Sequence, residues 1–345
     1  MGSIPPVIAP PNADVRRAAE AEISAKLKPR GSLGRLEALA VQFAAIRGTA
    51  NPIVIPAVVI CAGDHGVATE GVSAYPQEVT GQMLGVYLSG GAAISVLSAQ
   101  AGAEVIVIDC GIVGPSPADV RNLRIAPGTA NIAIGPAMSR EQAEQALANG
   151  DMVARELAER AVSVVATGEM GIANSTVASA LVAAILGVAP ARVVGPGTGL
   201  DPEGVARKVA VVERALAANP DRADPIATLA ALGGFEIATL AGLILGLAAR
   251  NVAVLLDGFI TSSAALVANA IDPGVREYLI AGHRSPEPGH ALVLDALGLS
   301  PLLDLGMRLG EGSGAALALP LLRSAVAILA DMATFDQRGV SDSGR

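Results

Sequence analysis

The chain has no tryptophan, and phenylalanine and tyrosine together bring its aromatic share to only 2% of 345 residues. That removes the stacking platforms on which single-stranded nucleic acid is held. Charge is also scarce, at 16% of residues. The balance is acidic, with 32 Asp and Glu against 24 Lys and Arg and a formal net charge of -8. Such a field repels a phosphate backbone, so no nucleic-acid partner is expected. The two cysteines, Cys61 and Cys110, end Val/Ile-rich runs and read as buried free thiols, with a disulfide as the alternative. The three histidines, His65, His283 and His290, are scattered, and no Cys/His group has metal-ligand spacing, so neither a metal nor a cofactor is expected. His65 reads as a structural histidine paired with Asp64 or a backbone carbonyl. Also missing are a Gly-x-Ser-x-Gly elbow, a Gly-x-Gly-x-x-Gly turn after the first strand and a Walker Gly-Lys-Ser/Thr ending. Their absence disfavours a serine hydrolase, a nicotinamide-dependent oxidoreductase and a P-loop enzyme.

Apolar residues, by contrast, make up 52% of the sequence, and the mean hydropathy is +0.52. That supply of apolar surface excludes disorder. The length favours one large domain with a smaller one appended. Two stretches, residues 79–103 and 170–191, carry no charge, but Gln82, Ser89, Ser95 and Gln100 interrupt the first, and Asn174, Ser175, Thr176 and Pro190 the second. Both read as buried helices, and no membrane association is expected. The Pro-rich N-terminus lacks the basic stretch and apolar run of a secretory signal, which points to the cytoplasm.

Residues 14–47 are helical in pattern, with Leu33, Leu36, Leu39, Phe43 and Ile46 forming one apolar stripe. Pro29 and Gly31 divide them into two helices, with Ser32 expected to cap the second. From residue 57 onward, short β-branched runs alternate with Ala/Leu-rich helical segments, the pattern of an α/β fold with a parallel, Rossmann-like sheet. The runs are 57–61, 104–110, 162–166, 192–194, 252–256 and 277–281. Polar residues collect just after them, where an open parallel sheet binds ligands. After Pro286 the chain is helical again, broken only at Gly310-Glu311-Gly312-Ser313-Gly314.

Three of these segments suit chemistry. Gly195-Pro196-Gly197-Thr198-Gly199 can present backbone N–H groups to an anion at a helix start, or can form a plain tight turn. Lys208 adds a positive charge to such a seat, unless it lies on a solvated helix face. In Thr167-Gly168-Glu169-Met170-Gly171-Ile172-Ala173-Asn174-Ser175-Thr176, the last three residues suit helix capping. Capping does not require Glu169 beside glycines, which favours a binding role for that carboxylate. Glu311, alone between two glycines before an apolar helix, fits a desolvated general base or a carboxylate at a helix N-terminus equally well.

Taken together, the segments resemble the nicotinate-nucleotide:dimethylbenzimidazole phosphoribosyltransferases of cobalamin lower-ligand synthesis. The likeness runs through Lys28-Pro29-Arg30-Gly31-Ser32-Leu33-Gly34-Arg35-Leu36-Glu37, Ala62-Gly63-Asp64-His65-Gly66-Val67 and Gly71-Val72-Ser73-Ala74-Tyr75-Pro76. It continues through Gln82-Met83, Gly168-Glu169-Met170-Gly171-Ile172, Gly195 to Asp201, Leu256-Asp257-Gly258-Phe259, Ala281-Gly282-His283-Arg284-Ser285 and Leu309-Gly310-Glu311-Gly312. The resemblance implies phosphoribosyl transfer from nicotinate mononucleotide to 5,6-dimethylbenzimidazole, giving α-ribazole phosphate and nicotinate. It makes Glu311 the base that removes the benzimidazole proton. It puts the phosphate at Gly197, Thr198, Gly199 and Lys208, and the ribose and aromatic base near Glu169, Met170 and Gly171. Ser73, Tyr75, Gln82, Met83 and Leu309 would line the base slot, and Asp257 counts among the substrate-binding residues. A homodimer is implied, with a small helical domain built from residues 1–50 and 301–345 around an α/β domain of residues 51–300. Two positions depart from the pattern: Ala173 stands where glycine is expected, and Pro196 stiffens the phosphate loop. They leave other benzimidazoles, purines and phenolic acceptors open, with a non-catalytic nucleotide-binding homologue as the alternative function.

Overall fold

The computed structural model describes residues 7–341, so the first part of the Pro-rich N-terminal stretch and residues 342–345 lie outside the described residues. Among the described residues, six strands form one parallel sheet: β1 (Pro56–Gly63), β2 (Glu104–Gly111), β3 (Arg121–Asn122), β4 (Val164–Met170), β5 (Ala253–Leu256) and β6 (Leu279–Ala281). Their order is β3-β2-β1-β4-β5-β6, and every adjacent pair is parallel. β1, with the sequence PAVVICAG, is buried at every residue, as a strand covered by helices on both faces must be. The strand order reverses between β1 and β4, which opens a crevice beyond the carboxyl ends there.

Five of the six expected runs are strands. Residues 192–194 are not: Pro190–Arg192 make a 3₁₀ turn, and the Val193 carbonyl accepts the Gly289 N–H at 3.2 Å. This segment is tied to a helix start instead of the sheet, which leaves it no strand partner. β3, a two-residue edge strand without β-branched residues, carries no sequence signal.

Thirteen α-helices, again among the described residues, surround the sheet: α1 (Ala13–Ala25), α2 (Arg35–Arg47), α3 (Val79–Leu88), α4 (Ala93–Gln100), α5 (Arg140–Glu159), α6 (Asn174–Leu186), α7 (Pro202–Ala218), α8 (Pro225–Leu232), α9 (Phe235–Ala248), α10 (Phe259–Ile271), α11 (Pro288–Leu297), α12 (Ser313–Asp331) and α13 (Phe335–Arg338). α9 is apolar on nearly all sides and buried along its whole length, which requires neighbours all round. It crosses α5 backbone against backbone: a Cβ at Gly150 would stand 2.1 Å from the Thr239 carbonyl oxygen, and one at Gly242 2.0 Å from that of Leu147. The chain ends meet, with α1 and α2 packing on each other and on α12.

Ser32 does not cap α2. The N-cap is Gly34, with φ of 55° and no side-chain bond, while Glu37 reaches back to accept the Leu33 N–H at 3.0 Å. The same carboxylate pairs with the buried Lys28 ammonium at 2.8 Å, a charge that needs a partner more than the helix end needs a hydroxyl. The expected buried helix at residues 79–103 is two helices divided at Gly90, with φ of 82°, and it leaves Val86, Leu88 and Val96 exposed. By length and composition alone, the α3–α4 stretch (Val79–Gln100) and α12 could cross a membrane. The first is broken, however, and the second packs on α2, α4 and β4.

Candidate active site

A cavity of about 400 Å³ opens beyond the carboxyl ends of β4, β5 and β6, and Glu169 and Glu311 both line it. Glu169 is the penultimate residue of β4 and is buried, and its Oε2 accepts a hydrogen bond from Asn174 Nδ2. Burial and then the Asp257 charge push its carboxyl up to about 8, against the Asn174 bond. Gly310 lies directly on this carboxylate: a Cβ there would stand 2.5 Å from Glu169 Oε1. Gly310, Glu311 and Gly312 have φ of 82°, 63° and 86°, three successive left-handed residues. A non-glycine residue holds that conformation only where its surroundings impose it.

Asp257 imposes it. From the end of β5, its Oδ2 accepts the Gly312 N–H at 3.1 Å, and its Oδ1 accepts those of Gly314 at 2.7 Å and Ala315 at 3.1 Å. A carboxylate thus holds the N-terminus of α12 and the turn that carries Glu311. From the other side, Gly168 lets the turn approach, since a Cβ there would stand 2.6 Å from the Glu311 carbonyl oxygen. Burial raises the Glu311 carboxyl above its ordinary value, the Tyr87 hydroxyl opposes this, and Asp257 adds to the rise.

At the other end of the cavity, Gly197 has φ of 55°. Behind it the fully buried Lys208 donates from Nζ to Ser175 Oγ at 2.9 Å and to the Gly195 carbonyl at 3.2 Å. Burial lowers the ammonium to about 8, against the pull of Glu287. Arg308, at the rim, donates to the Gly197 carbonyl at 3.4 Å. Among the described residues, no group of three or more His, Cys, Asp or Glu side chains is placed to hold a metal ion.

A profile of the family described as phosphoribosyltransferase matches residues 8–340. The chain belongs to this family. The nicotinate-nucleotide–dimethylbenzimidazole phosphoribosyltransferase of Solidesulfovibrio magneticus is 53% identical over 332 residues, 94% of each chain. That of Azotobacter vinelandii is 55% identical over 323 residues, 92% of each. The crystal structure of the enzyme of the same name from Thermus thermophilus superposes with a TM-score of 0.91 at 45% identity, covering 96% of this chain and all of the other.

In this phosphoribosyltransferase, the cavity wall brings together Tyr75, Met83, Glu169, Met170, Gly171, Gly197, Thr198, Leu309 and Glu311 from the set singled out in the sequence. The other five lie off the wall. Gln82 is exposed on α3, and Ser73 accepts the Tyr75 N–H at 3.3 Å. Gly199, with φ of 117°, completes the loop. Lys208 sits behind Gly197, and the Asp257 oxygens are taken by the backbone of α12. Ala173 adopts the left-handed conformation, φ of 74°, that makes glycine the expected residue there.

Asn174, Ser175 and Thr176 do not cap α6, whose N-cap is Ala173 without a side-chain bond. Asn174 serves Glu169 and Ser175 serves Lys208, so two of the three residues that looked like a cap belong to the site. Glu287 and Arg308, which also line the cavity, were not singled out. Pro286 reads as a chain break, which hides the carboxylate beside it. His65 pairs with neither Asp64 nor a carbonyl: its Nε2 lies 3.0 Å from Glu236 Oε1, both side chains being fully buried. Burial lowers the imidazole's proton affinity, but Glu236 and Asp64 more than offset this and leave it raised. Cys61 and Cys110 are both free and buried.

Proposed function

We propose that this phosphoribosyltransferase moves phosphoribose from nicotinate mononucleotide to 5,6-dimethylbenzimidazole, with Glu311 as the general base. One benzimidazole nitrogen attacks the anomeric carbon, the bond from that carbon to the pyridinium nitrogen breaks, and its electron pair returns to the ring, releasing nicotinate. The proton on the other benzimidazole nitrogen passes to Glu311. The leaving nitrogen is already cationic, so no anionic pyrophosphate has to be neutralised by a metal.

The observation that carries this reading is the pair of carboxyls at one end of a single apolar cavity. Glu169, at about 8, is protonated at neutral pH and acts as a hydrogen-bond donor to the nucleotide, leaving Glu311 as the acceptor of the proton. The glycine loop at the other end, with Lys208 behind it, takes the phosphate, and Asp257 positions Glu311 without touching substrate. Met83, Tyr75 and Leu309 make the base slot. α1, α2 and α12 form a small helical domain from both chain ends, and the enzyme works in the cytoplasm as a homodimer. The exposed Val86, Leu88 and Val96 on α3 and α4 supply apolar surface for a second copy.

The test is chromatographic measurement of nicotinate released from nicotinate mononucleotide with and without 5,6-dimethylbenzimidazole, in a chelator. Base-dependent release is expected, and Glu311→Gln should lower it by roughly 10²- to 10⁴-fold with nucleotide binding kept. Nucleotide binding with no release on addition of any base would leave a non-catalytic binding protein.

A further inference from the structure

The loop read above as the phosphate seat already holds an anion, and that anion belongs to the chain. Glu287, which precedes α11, is 7% exposed and lines the cavity. Its Oε1 accepts the Gly197 N–H at 3.0 Å, one of the loop donors that an incoming phosphate needs. Its Oε2 is buried with no hydrogen-bond partner. That oxygen fits against Gly195, where a Cβ would stand 2.3 Å away. Tying down the loop needs one oxygen; a second, desolvated and unbonded, is a cost the fold does not require. Glu287 also attracts Lys208, so the one buried ammonium behind the loop already has a counter-ion.

We propose that Glu287 is a resident stand-in for phosphate, which yields the Gly197 N–H to the nucleotide and then shares one proton with the phosphoester, so that nucleotide binds with net uptake of a proton. The proposal rests on the reading of the Gly197 loop as the phosphate seat. A phosphoester loses its second proton near pH 6, so at pH 7 it arrives largely as a dianion beside a carboxylate in a buried space. One ammonium cannot neutralise three negative charges, and two like charges a few ångströms apart shift the affinity of one of them for a proton. The proton comes from solvent and lies between a carboxylate oxygen and a phosphate oxygen; no covalent bond changes.

The other charged and titratable groups around this seat are Lys208 from α7, Arg308 at the rim and His283 on the cavity wall. His290 on α11 accepts the Ser285 N–H at Nδ1 and is held neutral, its affinity lowered to about 4 by burial and by His283. Lys208, at about 8, is charged at pH 7 but takes up protons above it, which fixes the pH of the test.

Isothermal titration of the whole protein with nicotinate mononucleotide at pH 7, in two buffers of different ionisation heat, counts the protons. Uptake of about one proton is expected for the unmodified protein and none for Glu287→Gln, whose amide donates to the phosphate. Nicotinate riboside, which lacks the phosphate, is expected to take up none in either protein. Glu287→Gln should bind the nucleotide about tenfold more tightly at pH 7 and about equally at pH 5.5, the size expected when the shared proton is held about two units more tightly than by the free phosphoester, as uptake of nearly one proton at pH 7 requires. No uptake by the unmodified protein overturns the proposal, and if the variant fails to fold this arm decides alone. Equal uptake in Glu287→Gln assigns the proton elsewhere and overturns it too. Weaker binding by the variant at every pH makes Glu287 a sugar ligand, again against the proposal. Normal base-dependent turnover without proton uptake refutes only this inference, whereas absence of both turnover and nucleotide binding refutes the phosphoribosyltransfer reading with it.

Discussion

Asp257→Asn tests whether the Glu311 turn is held from outside the cavity. The asparagine carbonyl replaces Oδ1 and keeps the Gly314 and Ala315 bonds, while its amide nitrogen faces the Gly312 N–H and that bond is lost. One charge-assisted bond contributes about 1.5–3 kcal/mol, and the two that remain become neutral and weaker. The favourable interaction of the carboxylate with the α12 N-terminus, about 0.3–1 kcal/mol, is lost as well. Relief of the repulsion with Glu169 and Glu311 offsets part of this, so a net loss of about 3 kcal/mol is expected. At roughly 2.1 cal/mol/K per residue, 345 residues give an unfolding entropy of about 0.7 kcal/mol/K, and the melting temperature should fall by about 4 °C. A turn freed to shift by an ångström should lower kcat by about 10²-fold, with the KM for nicotinate mononucleotide little changed because the proposed phosphate seat lies on other loops. Because Asp257 raises both cavity carboxyls, the acid limb of the pH–rate profile should also move to lower pH. Thermal melts and initial rates of nicotinate release read all three quantities. An unchanged melting temperature together with an unchanged kcat would refute the positioning role.

Two further outcomes follow from the buried charges. The Glu169 carboxyl is raised from 4.5 to about 8, so its contribution to stability is full below about pH 4.5 and is lost as pH rises through 8. Glu169→Gln should therefore flatten the fall in stability between pH 5 and 8.5, and parallel melting curves for the two proteins would count against a protonated carboxyl. Lys208 is lowered from 10.5 to about 8, so its contribution is present above 10.5 and is lost as pH falls through 8. Lys208→Met should gain stability relative to the unmodified protein at pH 7 compared with pH 10. It should also raise the KM for nicotinate mononucleotide by about 10- to 100-fold, and an unaltered KM would mean that the phosphate sits elsewhere.

The sheet was legible because buried parallel strands leave β-branched runs, and β1 and β2 match theirs within a few residues at each end. Residues 192–194 have the same composition, yet their N–H groups close a local turn and the Val193 carbonyl goes to the start of α11, a tertiary fact without a local signal. The polar clusters marked the cavity for the same reason that parallel sheets bind ligands at one edge. What each side chain does there was less legible. Asn174 and Ser175 look like a helix cap from spacing alone, and only the fold brings Glu169 and Lys208 within their reach. Asp257 reads as a ligand for substrate because nothing local reveals that the first turn of α12, more than fifty residues later, takes both of its oxygens.

The left-handed backbone at Glu311 sets the side chain we propose as the base against its own main chain. Glycine and asparagine accept that conformation more readily, so random change at this position runs toward a calmer fold and an idle enzyme. Selection for a hardier protein and selection for a working one pull in opposite directions there. A stability screen without an activity readout would therefore discard the proposed base first.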